Sequence, residues 1–445
     1  MCARPLWLAL AILGGALGWS GCSQSVTQTP TAESRDRALA QARAQVAEGV
    51  YTAAEATLSS ILDSYPADPL PALELTDLYE DWGRPNDGLE ALNIAASRNA
   101  PQAEVAPRRL RLLADAGRWQ DVTSEAEAQL ASDPTTLEAL AALTEAQLHQ
   151  GACQEARLTA RQASMARPTD ADLASIDALL SGDYARLAAT APNLMADLLP
   201  CEDRCNRAIG LRLERDGRWD LAACVLAQAA VASPEDAEIQ TWLGEAYARI
   251  GLPEEAERAF GRAVARDSQL PEAWLLLGKL LLADGRLEEA REALLKAQAL
   301  DSGNPAPCLA VAELKAQMGL YDEMDRWTQA ALARAPADAE IAKAVARIYL
   351  SRRLADNGTA VSAVDLAIRL APNDGEATTL LGASHLLRGD VAAALAALDD
   401  AVTVSPGLGE AHFWRARALD ASGRLEEAAA ARTRAADLGW PTAGE

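Results

Sequence analysis

Two neighbouring stretches decide the fold: Ala237–Leu270, AEIQTWLGEAYARIGLPEEAERAFGRAVARDSQL, and Pro271–Asn304, PEAWLLLGKLLLADGRLEEAREALLKAQALDSGN. Laid one over the other, they match glycine at Gly244 and Gly278, glycine again at Gly251 and Gly285, and alanine at Ala256 and Ala290. In the second stretch Trp274, Leu277, Gly278 and Leu281 put an apolar stripe along one helical face. Gly285 then suits a turn, because a left-handed backbone is cheap only for glycine. Arg286-Leu287-Glu288-Glu289 opens a second helix, its two acids near the positive end of the dipole. Gly278 and Ala290 are small where the two helices must approach closely. Each stretch therefore reads as a helical hairpin.

The same spacing runs outward in both directions. Gly49, Gly83, Gly117 and Gly151 lie 34 residues apart, Gly217, Gly251, Gly285 and Gly319 keep the step, and Gly389 with Gly423 repeat it. Pro66, Pro134, Pro168, Pro234, Pro336 and Pro406 each fall 17 residues after the glycine of their unit. There they interrupt one helix and start the next. The unit resembles the tetratricopeptide repeat, on Leu243-Gly244, Tyr247, Gly251, Ala256, Phe260 and Ala263 of the first stretch and the matching residues of the second. That resemblance implies an all-α, right-handed α-solenoid. No hairpin can bury its stripe alone, so stacking supplies the core.

Eleven copies are expected: four across 35–170 and seven across 203–442, with 171–202 a degenerate unit between them. The copy at 339–374 carries two extra residues around Asp356-Asn357-Gly358, and 443–445 form a tail. The regular superhelix should bend or hinge at 171–202 and 339–374. In the last unit Arg432 replaces Phe260 and Leu294 of the better copies, the polar outer face that a terminal cap needs.

Half of the residues are hydrophobic but only 4% are aromatic, a balance that favours helix over strand. The formal net charge of −23 repels a phosphate backbone, so nucleic acid is excluded as a partner. Residues 1–21 read as a signal peptide: Arg4, then an apolar run from Leu6 to Leu17 that spans only about 18 Å as a helix. The ending Trp19-Ser20-Gly21-Cys22 resembles the lipobox of bacterial lipoproteins, with Trp19 in the place of the usual leucine. The resemblance implies acylation of Cys22 and attachment to a membrane through that lipid, with 22–34 as a flexible tether. Ser23 after the cysteine implies the periplasmic face of the outer membrane ahead of the inner one.

No catalytic constellation is present. His149, His385 and His412 are far apart and outside any HExxH or Ser/His/Asp setting, and no GxxxxGK[ST] loop cradles phosphates. No cofactor, metal or small-molecule substrate is expected, and the chain does not read as an enzyme. Past Cys22 the cysteines are Cys153, Cys201, Cys205, Cys224 and Cys308, so at least one stays unpaired within the chain. Cys201 and Cys205 either close a short loop as a disulfide or remain buried or free thiols.

In the tetratricopeptide family the first helix of each hairpin lines a concave groove. Carried onto this chain, the groove residues are Arg204, Arg207, Trp242, Leu275, Lys279, Lys343, Arg347, Phe413, Trp414 and Arg417. Exposed aromatics and cations there suit an extended peptide with apolar and acidic groups. Trp242 and Trp414 have a second reading, as packing against neighbouring hairpins. The clamp with which some relatives grip chaperone tails is missing, since Leu211 stands where it needs asparagine. The expected function is an exported, lipid-anchored scaffold for protein or peptide partners, serving assembly of an envelope secretion, pilus or polysaccharide machine. The alternatives are an accessory subunit of an envelope enzyme and a periplasmic holder of unfolded chains.

Overall fold

Asp236 shows how a hairpin begins. Its carboxylate accepts hydrogen bonds from the backbone N–H groups of Glu238 and Ile239, donors that the helix starting at Ala237 cannot satisfy itself. Asp338 and Asp374 do the same for the helices that follow them. Each such cap contributes about 1 kcal/mol. Gly285 shows how the first helix ends. At φ 75° it lets Arg286 N–H reach back to the Leu281 carbonyl at 2.9 Å, and Leu287–Leu300 starts at once.

The computed structural model describes residues 32–191 and 205–440. The signal peptide, Cys22, Arg204 and the Cys201–Cys205 pairing fall outside the described residues. The first eight helices form four hairpins: α1 Ala32–Ala47 with α2 Tyr51–Ser64, α3 Leu70–Asp81 with α4 Pro85–Ser97, α5 Gln102–Asp115 with α6 Trp119–Ser132, and α7 Leu137–His149 with α8 Cys153–Ala166. A fifth hairpin pairs α9 Ala171–Ser181 with the short α10 Tyr184–Thr190. Hairpins six to eight are α11 Cys205–Arg215 with α12 Trp219–Ala232, α13 Ala237–Arg249 with α14 Pro253–Arg266, and α15 Pro271–Ala283 with α16 Leu287–Leu300. Hairpins nine and ten are α17 Pro305–Gln317 with α18 Tyr321–Arg334 and α19 Ala339–Ser351 with α20 Gly358–Leu370. The last two are α21 Gly375–Leu387 with α22 Val391–Val404 and α23 Gly409–Ala421 with α24 Leu425–Asp437. The fold is an all-α solenoid, and the described residues contain no strand.

Close approach within a hairpin explains a glycine that recurs in four of the units. A Cβ on Gly244 would lie 2.6 Å from the Phe260 ring, and one on Gly278 would lie 2.6 Å from Leu294. Gly210 faces Leu226 and Gly382 faces Leu398 in the same way. The glycine on the first helix is the socket for the large side chain on the second.

Successive first helices pack on one another along most of the array, as α13 does on α15, α17 on α19 and α21 on α23. Second helices are splayed, with α18 against α20 the exception. The more tightly spaced row is the inside of a curve, so the first helices line the concave face.

Two features were not expected. At the fifth hairpin the array pinches: α12 packs directly on α7, and a disulfide joins Cys153 of α8 to Cys224 of α12. Cys308 is buried as a free thiol. The two ends of the solenoid also meet. Trp82, at the end of α3, donates its Nε1–H to the Ala436 carbonyl of α24 at 3.1 Å, and α2 packs on α24. The described hairpins thus curl into a closed ring.

Candidate functional site: the concave groove

The groove is a row of first-helix residues, and the structure sorts the expected ones into two kinds. Arg207 and Lys343 occupy the same slot of their hairpins, and both reach across to the next hairpin. Arg207 bonds Glu238 at 2.5 Å and Asp236 at 3.3 Å, with its guanidinium 4.6 Å from the Trp242 ring. Lys343 is only 3% exposed and holds Asp374 and Glu376 at 2.7 Å and Glu340 at 2.8 Å. Burial alone would lower its pKa, but the bonds to Asp374 and Glu340 outweigh that and hold the ammonium above its ordinary range. These two cations join hairpins, so a ligand does not meet Lys343 as a free charge.

The remaining expected residues within the described part all lie on first helices. Trp242 is half-buried beside the core that contains Leu243. Leu275 is half-buried against the core cluster that contains Leu281 and Leu294, and Lys279 is exposed. Between them lies an acidic stretch that the sequence reading did not single out. Burial, then Glu245 and Glu272, push the Glu214 carboxyl up to about 7. Glu272 and Glu313 are also raised, mainly by burial. The middle of the groove therefore carries buried carboxyls whose charged form is disfavoured.

The C-terminal end is different. Arg347, Trp414 and Arg417 line one cleft of about 320 Å³ together with Leu350, Leu380 and Glu410. The Arg417 guanidinium lies 5.2 Å from the Trp414 ring and 5.9 Å from Phe413, which meets Trp414 edge-on at 5.7 Å. Trp414 is half-buried, packing on the core below while leaving one face to the cleft. The packing reading of this tryptophan holds, and its free face lines the cleft. Arg347 pairs with Glu376 and lies 4.0 Å from Glu410. A second cleft, of about 450 Å³ and lined by Glu313 and Arg352, continues the surface through Arg347 and Ser351.

Sequence reasoning missed Arg353 at the rim of the first cleft. It stands 34 residues after Gly319, in the slot of the turn glycine, and adopts φ 58° there. A side chain in that conformation costs about 1 kcal/mol relative to glycine. The signal was available as an arginine in a glycine slot.

A third concavity, of about 450 Å³, lies at the pinch and is lined by Glu145, His149, Leu173, Arg218, Trp219 and Arg249. His149 stacks on Trp119 with ring centroids 3.9 Å apart, and burial pushes its pKa down. His412 bonds the Pro406 carbonyl at 3.0 Å, and His385 lies 3.9 Å from Asp390. Each histidine has a local structural partner. Among the described residues no group of His, Cys, Asp and Glu is arranged to hold a metal, and no helix is long and apolar enough to cross a membrane.

The sequence profile of the tetratricopeptide repeat matches residues 207–271, 249–305, 352–409 and 388–441. Among solved structures, yeast Tom70 is similar over 91% of this chain and 92% of its own, at 17% identity and TM-score 0.45. PilF of Pseudomonas aeruginosa is similar over 48% of this chain and 96% of its own, at 19% identity and TM-score 0.39. A thermophilic tetratricopeptide protein of Thermus thermophilus is 25% identical over 43% of this chain and 97% of its own, with TM-score 0.35. No curated protein matches significantly.

Proposed function

Because this chain is a tetratricopeptide-repeat protein, we propose that it is an exported, lipid-anchored scaffold that holds protein or peptide partners in its concave groove. The observation that carries this reading is the C-terminal end of the groove. There an apolar floor, an aromatic wall and arginines converge on one open cleft. Such anchors, set in a concave surface, are what give a protein interface its binding energy. The groove is long and curved, which suits an extended segment better than a compact ligand.

The address comes from the sequence ending in Cys22, whose acylation fixes the chain at the periplasmic face of the outer membrane. The Cys153–Cys224 disulfide supports export, since such bonds persist in oxidising compartments and are rare in the cytosol. At that surface the scaffold serves assembly of an envelope secretion, pilus or polysaccharide machine.

Affinity purification from detergent-solubilised membranes tests the binding claim. The wild-type chain should retain a stoichiometric partner that Trp414→Ala and Arg417→Ala lose together. A broad, unrelated set of captured chains would instead fit a holder of unfolded proteins, and co-purified activity that vanishes without this chain would fit an enzyme subunit. Cys22→Ser tests the address: the wild type should take up labelled acyl chain and the variant should leave the membrane. A wild type that carries no acyl label overturns the anchor.

A further inference from the structure

Among the described residues, eleven of the twelve turns between first and second helices place a glycine in the left-handed region, and the twelfth places Arg353 there. The connection is longer, running over 352–357 where 284–286 suffice after α15, but the hydrogen bonds that end the first helix are the same. Arg353 N–H meets the Leu350 carbonyl at 3.0 Å and Leu354 N–H meets Tyr349 at 2.9 Å, as Gly285 meets Leu282 at 3.1 Å and Arg286 meets Leu281 at 2.9 Å. The arginine is thus held in a glycine's conformation at a strained position. Strain of this kind persists only where the surrounding structure enforces it, and it clusters at ligand sites.

The side chain lies where that work would be. Arg353 is exposed and rims the cleft floored by Leu350, Leu380 and Leu387 and walled by Trp414. Across from it is Arg417, stacked on Trp414. Neither guanidinium has an ion-pair partner among the described residues, whereas Arg347 beside them is already paired with Glu376. Glu410 also lines the cleft but lies beside Arg347, at 4.0 Å, so Arg353 and Arg417 are left as unpaired positive charges over the apolar floor.

We propose that this cleft recognises a carboxylate side chain flanked by apolar side chains in an extended segment of a partner protein. The proposal rests on the groove reading above and names the chemistry of its occupant. Arg353 and Arg417 grip the carboxylate by charge-assisted hydrogen bonds, and the apolar neighbours sit on Leu380, Leu387 and Trp414.

The test uses three fluorescein-labelled nonapeptides of serine and glycine carrying a central Leu-Glu-Leu, Leu-Gln-Leu or Leu-Lys-Leu, titrated with the intact protein and read by anisotropy. The Glu peptide should bind about tenfold tighter than the Gln peptide, and the Lys peptide weaker still. Arg353→Gly and Arg417→Ala should each abolish that preference. Arg353→Gly restores the residue the turn favours, so its thermal midpoint should be no lower than that of the wild type, which separates lost binding from lost folding. Equal binding of the Glu and Gln peptides, or no detectable binding of the Glu peptide at millimolar protein, overturns the proposal and leaves the groove reading to the membrane purification. A wild type that dimerises in sedimentation while Arg353→Gly stays monomeric assigns the cleft to a second copy and also overturns it.

Discussion

At the scale of single residues, position in the repeat announces packing more reliably than it announces contact with a ligand. Gly244 and Gly278 were legible because the need for a socket opposite Phe260 and Leu294 recurs with the period. Lys343 was not: its slot faces the groove in the family, but here Asp374 and Glu376 of the next hairpin draw it inward. Burial first, and neighbouring acids second, govern Glu214, whose Oε1 is buried without a partner. Its carboxyl holds a proton up to about pH 7 in the folded chain, whereas the unfolded chain releases it near 4.5. Folded protein therefore binds more protons between these values, and this group's contribution to stability is full at low pH and lost as pH rises through 7. Glu214→Gln should be as stable as wild type at pH 4.5 and more stable at pH 8, by on the order of 1–2 kcal/mol after allowance for partial exposure. Thermal unfolding of both proteins across that range checks it, and a constant difference between them contradicts it.

At the scale of elements, the hairpins follow from the sequence and their exceptions follow from what the fifth hairpin does to the stack. Neighbouring helices pack roughly 8–10 Å apart, so second helices two hairpins apart cannot be bridged in a regular array, where a disulfide needs Cα atoms within about 7 Å. Cys153 and Cys224, 71 residues apart, meet because the short α10 lets α12 fall onto α7. A bend at 171–202 was legible from the degenerate unit, but its closure by these two cysteines was not, since register alone keeps them apart. In an array stabilised by nearest-neighbour contacts, the bond acts locally. Reduction, or Cys153→Ala with Cys224→Ala, should lower stability by roughly 2–4 kcal/mol and expose the pinch to protease first. Cleavage that begins in the C-terminal hairpins instead would place the weak point elsewhere.

At the scale of the whole molecule, the curl of the described hairpins brings α24 against α2, a meeting that no local pattern encodes because it sums small rotations at every step. The contact is slight: the Trp82 hydrogen bond to Ala436 beside a cleft of about 660 Å³ lined by Arg84, Arg432 and Trp440. Trp82→Ala should open the ring, raising the radius of gyration in X-ray scattering while helical content stays unchanged, and an unaltered scattering curve would rule out closure by this contact. A closed ring turns the groove inward, so a partner in it is surrounded by first helices and shielded from the outer face. Site-specific photocrosslinking in living cells tests that claim most directly, with a benzophenone amino acid placed at Leu275 or Arg417 in the groove, or at the 65% exposed Leu158 on a second helix. The account predicts one discrete crosslinked partner from both groove positions and none from Leu158. Crosslinks from Leu158 alone would contradict it.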